Sequence, residues 1–236
     1  MRTRTLWLLP VALLLGACQF SRVSKPEAFG PGKALAVVTV YSTSKVELTH
    51  ETPGIGMPGV IPSQYREELA PTSAFFSDTK ATVLRVLGSS RHFRLVPEQA
   101  VLSSGAYAAA RPDAPAMLGV RFVTPPGYKL LTDLPQVGAV ARAAGAGGGL
   151  IVRIEHRCSW GERAGTVAGK VSVSVGAVDR AGQTIWMEHE TAQADLLAAM
   201  GSGGVNVAAL RASLVQAAER AARQILRDLD AQLRGG

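Results

Sequence analysis

Cysteine is scarce in this chain: Cys18 and Cys158 are the two copies in 236 residues. They allow at most one bridge, which excludes a disulfide-stapled scaffold. Histidine is nearly as rare, with four copies, and neither a His-x-x-x-His pair nor a cysteine cluster of zinc-site spacing occurs. Aromatic residues make up 6% and charged residues 18%. No basic run interleaved with aromatics is present, so nucleic-acid binding is not expected. Long apolar runs are missing too. None reaches the roughly 18–20 residues of a membrane-spanning helix. What is plentiful is apolar side chain, 47% of the total, far more than a disordered chain carries. The length suits one domain, or two small ones, with a real core.

The N-terminus reads MRTRTLWLLPVALLLGAC. Arg2 and Arg4 form a basic start, and Leu6–Leu15 an apolar run about half as long as a spanning helix. Leu15-Gly16-Ala17-Cys18 resembles the bacterial lipobox, in which small residues precede a cysteine. The resemblance implies that the Cys18 thiol receives a diacylglyceryl group and becomes the first residue of the mature chain. The alternative is an ordinary secretory peptide with a chance cysteine. Two or more acyl chains hold a protein at a bilayer where one anchors only marginally. Gln19 stands where the inner-membrane retention signal of enteric lipoproteins has Asp, which favours the outer membrane, periplasmic face. The expected layout is a signal peptide over 1–17, a lipidated tether over 18–32 and a single globular domain over 33–236. Losing Arg2 and Arg4 lowers the formal charge from +7 to +5.

Along the mature chain, Lys33–Tyr41 (KALAVVTVY) predicts a buried first strand. A long connection follows, over about 45–72. Its stretch 53–62 is so rich in proline and glycine that regular structure is excluded there. Yet Ile55, Met57, Val60 and Ile61 are apolar, and these four are the candidate partner-binding residues. A helix is expected over about 74–87, a short strand over 93–96, and mostly irregular chain over 103–135. Asp133 is positioned to cap a second helix ending at Gly145. Strands are expected at 150–158, 169–178 and 185–191, the last two joined by a turn over Asp179–Gln183. The chain closes in a helix of about 206–233, whose Val207, Leu210, Leu214, Ala217, Ala221, Ile225 and Leu229 step by three or four.

These elements predict an α+β, α/β-like fold: one mixed sheet of four to five strands packed by two or three helices. Three local patterns point further: KALAVVTV opening the domain, an Ala-rich helix running into GAGGGLIVRIE, and GAVDRAGQTIWMEHE as strand, turn and strand. Together with the lipobox they resemble the superfamily of periplasmic lipoproteins that includes the curli secretion channel CsgG and the penicillin-binding-protein activator LpoB. The resemblance implies partner binding in envelope assembly or secretion, and no catalytic residue comes with it. It does not extend to a pore. The tip 159–168 lacks the alternating apolar positions of a barrel strand, and prolines interrupt 103–135.

The chemical candidates are thin. AAGAGGGL (143–150) has the glycines of a phosphate loop in the reverse order, helix before strand, and lacks the P-loop lysine. A helix C-cap and a tight entry into the sheet account for it better. His156 and His189 could face each other across strands, with Cys158, Glu188 or Glu190 near, but the set lacks metal-site regularity. No Gly-x-Ser-x-Gly elbow occurs. The expectation is therefore a non-enzymatic outer-membrane lipoprotein, without metal or other cofactor. It would be held by its lipid and bind envelope proteins, a second copy of itself among the possible partners. The alternative is a periplasmic hydrolase or small-ligand carrier with a site built from dispersed residues.

The lipidation reading has a direct test. Mass spectrometry should find the mature N-terminus at an acylated Cys18, and Cys18→Ala should leave the chain unprocessed or released from the membrane fraction. A peptide that begins before residue 18 and carries no acyl group contradicts it.

Overall fold

A computed structural model describes residues 22–51, 64–117 and 119–235. In chain order the strands and helices are β1 (Arg22–Val23), β2 (Ala34–Thr43), β3 (Lys45–Glu51), β4 (Gln64–Pro71), α1 (Phe76–Gly88) and β5 (Arg94–Leu95). There follow α2 (Glu98–Leu102), α3 (Gly105–Ala109), β6 (Ala116–Met117), β7 (Val120–Val123) and α4 (Leu134–Ala143). The last are β8 (Gly148–Trp160), β9 (Thr166–Asp179), β10 (Thr184–Gly201), β11 (Gly204–Val205) and α5 (Val207–Gly235).

The main path of the sheet runs β1-β10-β9-β8-β2-β7-β6, with β2 parallel to β8 and β8, β9 and β10 antiparallel. β3 carries the line of β2 onward along β8 and pairs β4 on its other edge. Eleven strands and five α-helices among the described residues correct the expected four to five strands with two or three helices. Two physical reasons account for the difference. Apolar patterning marks a strand only as far as its apolar side chains run, but ladder hydrogen bonds belong to the backbone and continue through polar and small residues. β10 thus runs 18 residues, to Gly201, instead of ending at Thr191. The strands β1, β5, β6 and β11 are two residues each, too short to leave a period in the sequence. The expected irregular span 103–135 likewise contains α3, β6 and β7.

The connection expected over 45–72 is a hairpin of β3 and β4, registered from Lys45↔Pro71 to Glu51↔Gln64. The tether expected over 18–32 is also corrected from Arg22 onward. β1 pairs Arg22 with Met187, Lys25 reaches Asp179 at 2.8 Å, and Phe29 is buried edge-on against Trp186.

Two cores flank the sheet. On one face Val152, Ile154, Val171, Val173, Val175 and Trp186 pack under α1 and α5. On the other, Ala36 and Val38 of β2 meet Val137, Val140 and Ala141 of α4. Buried on both sides, β2 is apolar almost throughout, as its sequence predicts. Asp133 caps α4 by accepting from the Gln136 amide at 2.9 Å. Gly145 leaves the helix at φ +74°, where a side chain would be strained. A Cβ on Gly149 would lie 2.7 Å from Val137 Cγ1, so the absence of a side chain there is what lets α4 press against β8.

α5 is seated the same way. A Cβ on Gly169 would come 2.8 Å from the Leu214 backbone nitrogen, and Ala217, Ala218, Ala221 and Ala222 continue the close contact along the helix. Val207, expected to face inward, is 48% exposed in the first turn. Opposite the helix, β10 slips register between Gln193↔Lys170 and Leu197↔Ala168. α5 satisfies the freed backbone groups: Gln216 Oε1 accepts from Asp195 N and Leu196 N at 2.9 and 3.1 Å, and Ser213 Oγ donates to Leu196 O at 2.5 Å. The same hydroxyl accepts from Gly169 N at 2.8 Å.

Leu214 and Ile225 are fully buried in this interface. Replacing either by Ala should cost about 2–5 kcal/mol, read as a lowered denaturation midpoint. If both variants melt like the parent, the helix is not part of the cooperative unit.

Candidate functional site

β2 and β8 part company in the middle of the sheet. β2 pairs β8 as far as Tyr41↔Arg153, then turns to β7 through Ser42↔Val123 and Thr43↔Phe122. The line is resumed by β3 at Glu47↔Arg157. The gap is a notch of about 160 Å³ lined by Thr43, Lys45, Glu47, Val120, Arg153, Glu155, His156 and Arg157. Period-two alternation along β8 sends Arg153, Glu155 and Arg157 to one face and His156 and Cys158 to the other.

The charges of the notch are largely satisfied among themselves. Glu155 bonds Arg153 and lies 3.5 Å from Arg157, and Lys45 pairs with Glu68 at 2.5 Å. Arg153 also lies over the Phe122 ring, 5.8 Å from its centroid. This volume is below the ~300 Å³ at which small-molecule pockets usually begin.

Beneath the notch His156 is buried. Its Nδ1 is 3.2 Å from Ser42 Oγ, its Nε2 2.8 Å from Thr79 Oγ1, and Phe76 stands edge-on to the ring. Burial lowers its pKa to about 4, so the ring is neutral at pH 7. The Thr79 hydroxyl is also within hydrogen-bonding distance of the carbonyls of Phe75 and Phe76, both at 3.2 Å. A serine beside a histidine invites a nucleophilic reading, which needs a carboxylate behind the ring and an open path to the hydroxyl. Here a threonine takes the far nitrogen, and Ser42 is fully buried. The arrangement ties β2, β8 and α1 together.

His156 and His189, which could have faced each other across strands, do not meet. His189 lies on the opposite face, its Nδ1 2.8 Å from Ser174 Oγ. Burial pushes the Cys158 thiol up to about 12, leaving it an un-ionised core residue. Among the described residues, Glu188, Glu190 and Asp228 place one carboxylate oxygen each within 4.8 Å of the others. All-oxygen donors suit a hard cation. However, Gln232 Nε2 donates to Glu188 at 2.9 Å and Gln224 Nε2 to Asp228 at 2.8 Å. Burial and then the charges of Asp228 and Glu188 raise the Glu190 pKa. Cys18, Ile55, Met57, Val60 and Ile61 all lie outside the described residues.

No protein-family model matches the chain, and no curated protein matches it. Solved structures similar to it include the "hypothetical protein CT253" from Chlamydia trachomatis, at 12% identity and TM-score 0.40, covering 87% of this chain and 99% of that one. Another is XCC0632 from Xanthomonas campestris, of family DUF330, at 10% identity and TM-score 0.39, covering 91% and 97%. A third is described as a "putative lipoprotein" from Caulobacter crescentus CB15, at 20% identity and TM-score 0.30, covering 43% and 82%. Neither the curli channel nor LpoB is among these three. Likenesses this distant assign neither a family nor a function.

The buried imidazole makes stability depend on pH. An unfolded His takes up a proton near pH 6.5, whereas folded His156 resists until about 4. Between these values the unfolded state holds the extra proton, so stability falls as pH drops, by about 1.4 kcal/mol per unit. His156→Gln, which keeps a donor and an acceptor, should flatten that slope in denaturation series from pH 7 to 4. An unchanged slope would assign the acid sensitivity elsewhere.

Proposed function

We propose that this chain is an acylated lipoprotein of the bacterial envelope that acts by binding protein partners in assembly or secretion, without catalysis of its own. The register of Arg2, Arg4, the apolar run and Leu-Gly-Ala-Cys18 supports the anchor, and Gln19 supports the outer membrane over the inner. The observation that carries the binding role is an apolar Pro/Gly segment held between two paired strands. Its flanking residues Glu51 and Gln64 are partners in the β3–β4 ladder. They lie at the end of the sheet that also carries the β8–β9 turn and exposed Trp160. Prolines reduce the entropy lost on docking, while Ile55, Met57, Val60 and Ile61 bring apolar contact area.

A hydrolase or ligand carrier has less support. Such a site wants a deep pocket with convergent free polar groups. The notch is small, its arginines are engaged by Glu155, and the histidine beneath it is held by two hydroxyls.

Ile55→Asp combined with Met57→Asp tests the reading. The double variant should keep the parent's melting temperature and lose co-purification of its partner from detergent-solubilised envelope. Retained co-purification at full stability removes the segment from binding. A fall in melting temperature marks its side chains as core.

A further inference from the structure

We infer that the end of the domain where the chain enters the fold, with its exposed cations, lies against the lipid headgroups of the anchoring bilayer; the inference rests on Cys18 being the acylated residue. Four residue steps separate Cys18 from Arg22, and at about 3.6 Å each they span no more than about 14 Å. Arg22 is not free to move away from the domain. It sits in the ladder opposite Met187, and the next amide, Val23 N, donates to Gln232 Oε1 of α5 at 2.7 Å. Ser24 N donates to Ile185 O at 3.0 Å. The Lys25 ammonium bonds both Asp179 and Gln183, at 2.8 and 2.6 Å. Phe29 then closes the entry against Trp186 and Phe93, with ring centroids 5.9 and 6.3 Å away.

The opposite end of the sheet is out of the anchor's reach. Met187 stands opposite Gly176, and the ladder ends at Ala199↔Thr166, ten residues along β9. At about 3.3 Å per residue that is roughly 33 Å. The acyl group, at most about 14 Å from Arg22, holds the entry end near the interface and leaves the β8–β9 turn to project from it.

The chemistry of the entry end suits a phosphate surface. Arg22, Lys33 and Arg94 are exposed there, and the side chains of Arg91 and Arg234 are 61% and 68% exposed although both pair with Asp230. Glu27 is an exposed carboxylate among them. Asp179 is engaged by Lys25, and Asp230 by Arg91, His92 and Arg234. Basic side chains within a Debye length of an anionic leaflet are attracted to it. Met187, 38% exposed beside Arg22, adds an apolar side chain at the point of entry. A tether that were free over its whole length would permit any orientation. A docked one does not.

The test uses the full-length acylated protein in vesicles of phosphatidylethanolamine and phosphatidylglycerol. A single fluorophore is placed at Arg94→Cys, in the entry end, or at Glu162→Cys, in the β8–β9 turn; both positions are exposed. Buried Cys158 is shielded from the label. Headgroup spin-labelled lipid should quench the first site several-fold more than the second. A flexible Gly/Ser insertion of some twenty residues between Phe20 and Ser21 should bring the two sites to the same level. Equal quenching without the insertion, or stronger quenching at the turn, overturns the orientation. Flotation with the vesicles and the mass of the N-terminal peptide are read on the same sample. An acylated, floating protein with equal quenching fails the orientation alone, whereas an unacylated protein that does not float fails the lipoprotein reading beneath it.

Discussion

The close seating of α5 on β9 and β10 is the contact on which the rest of this molecule depends. A helix packs against a sheet at a distance set by the side chains between them. Here those are glycine, serine and alanine at the crossing, with leucine and isoleucine beyond. The short distance puts Ser213 and Gln216 within reach of the backbone of β10 where it slips against β9. Buried peptide groups without partners each cost about 1–3 kcal/mol. The slip in β10 and the polar residues of an otherwise apolar helix face are therefore one feature. A larger residue at Gly169 would lift the helix and leave those peptide groups without partners.

The far side of the sheet is solved similarly but with less coverage. Gly149 and Gly138 let the ten-residue α4 press against the start of β8 and the Asp179 turn. Beyond α4 the same face carries Arg153, Glu155, Arg157, Ser174 and His189, polar groups that tolerate water. The asymmetry explains the parity of β8. Its even positions from Leu150 to Cys158 are buried under the two long helices, and its odd ones turn charged once α4 is passed.

Much of this was legible in the sequence, and what was not has a common cause. The buried strand β2, the Asp133 cap, the Asp179–Gln183 turn and the spacing of α5 are each written in residues within one turn or one strand of each other. Periodicity and capping act over that range. The two-residue strands, the length of β10 and the docking of Arg22–Phe29 depend on partners supplied from elsewhere in the chain. The notch is the clearest case. It exists because β2 turns from β8 to β7, and the His156 contacts beneath it join residues 114 and 77 positions away. Alternation in VRIEHRC separates His156 from the charged side chains, but nothing local names Ser42 and Thr79 as its partners.

The same distinction bears on how far a histidine in an apolar strand should be read as chemistry. A catalytic imidazole needs a pKa near the working pH and a substrate path to the group it activates. His156 has a ring held neutral by burial and two hydroxyl neighbours that occupy both nitrogens. Replacing the imidazole by an aliphatic side chain would leave the Ser42 hydroxyl buried without a partner, because Ser42 is fully inside while Thr79 retains nearby backbone carbonyls. The residue is thus explained by the hydroxyl opposite it. That hydroxyl lies where β2 turns aside from β8, in a part of the strand that must accommodate two different neighbours in succession. A polar pair at such a junction holds the strand in register without demanding the close apolar fit that the change of partner interrupts.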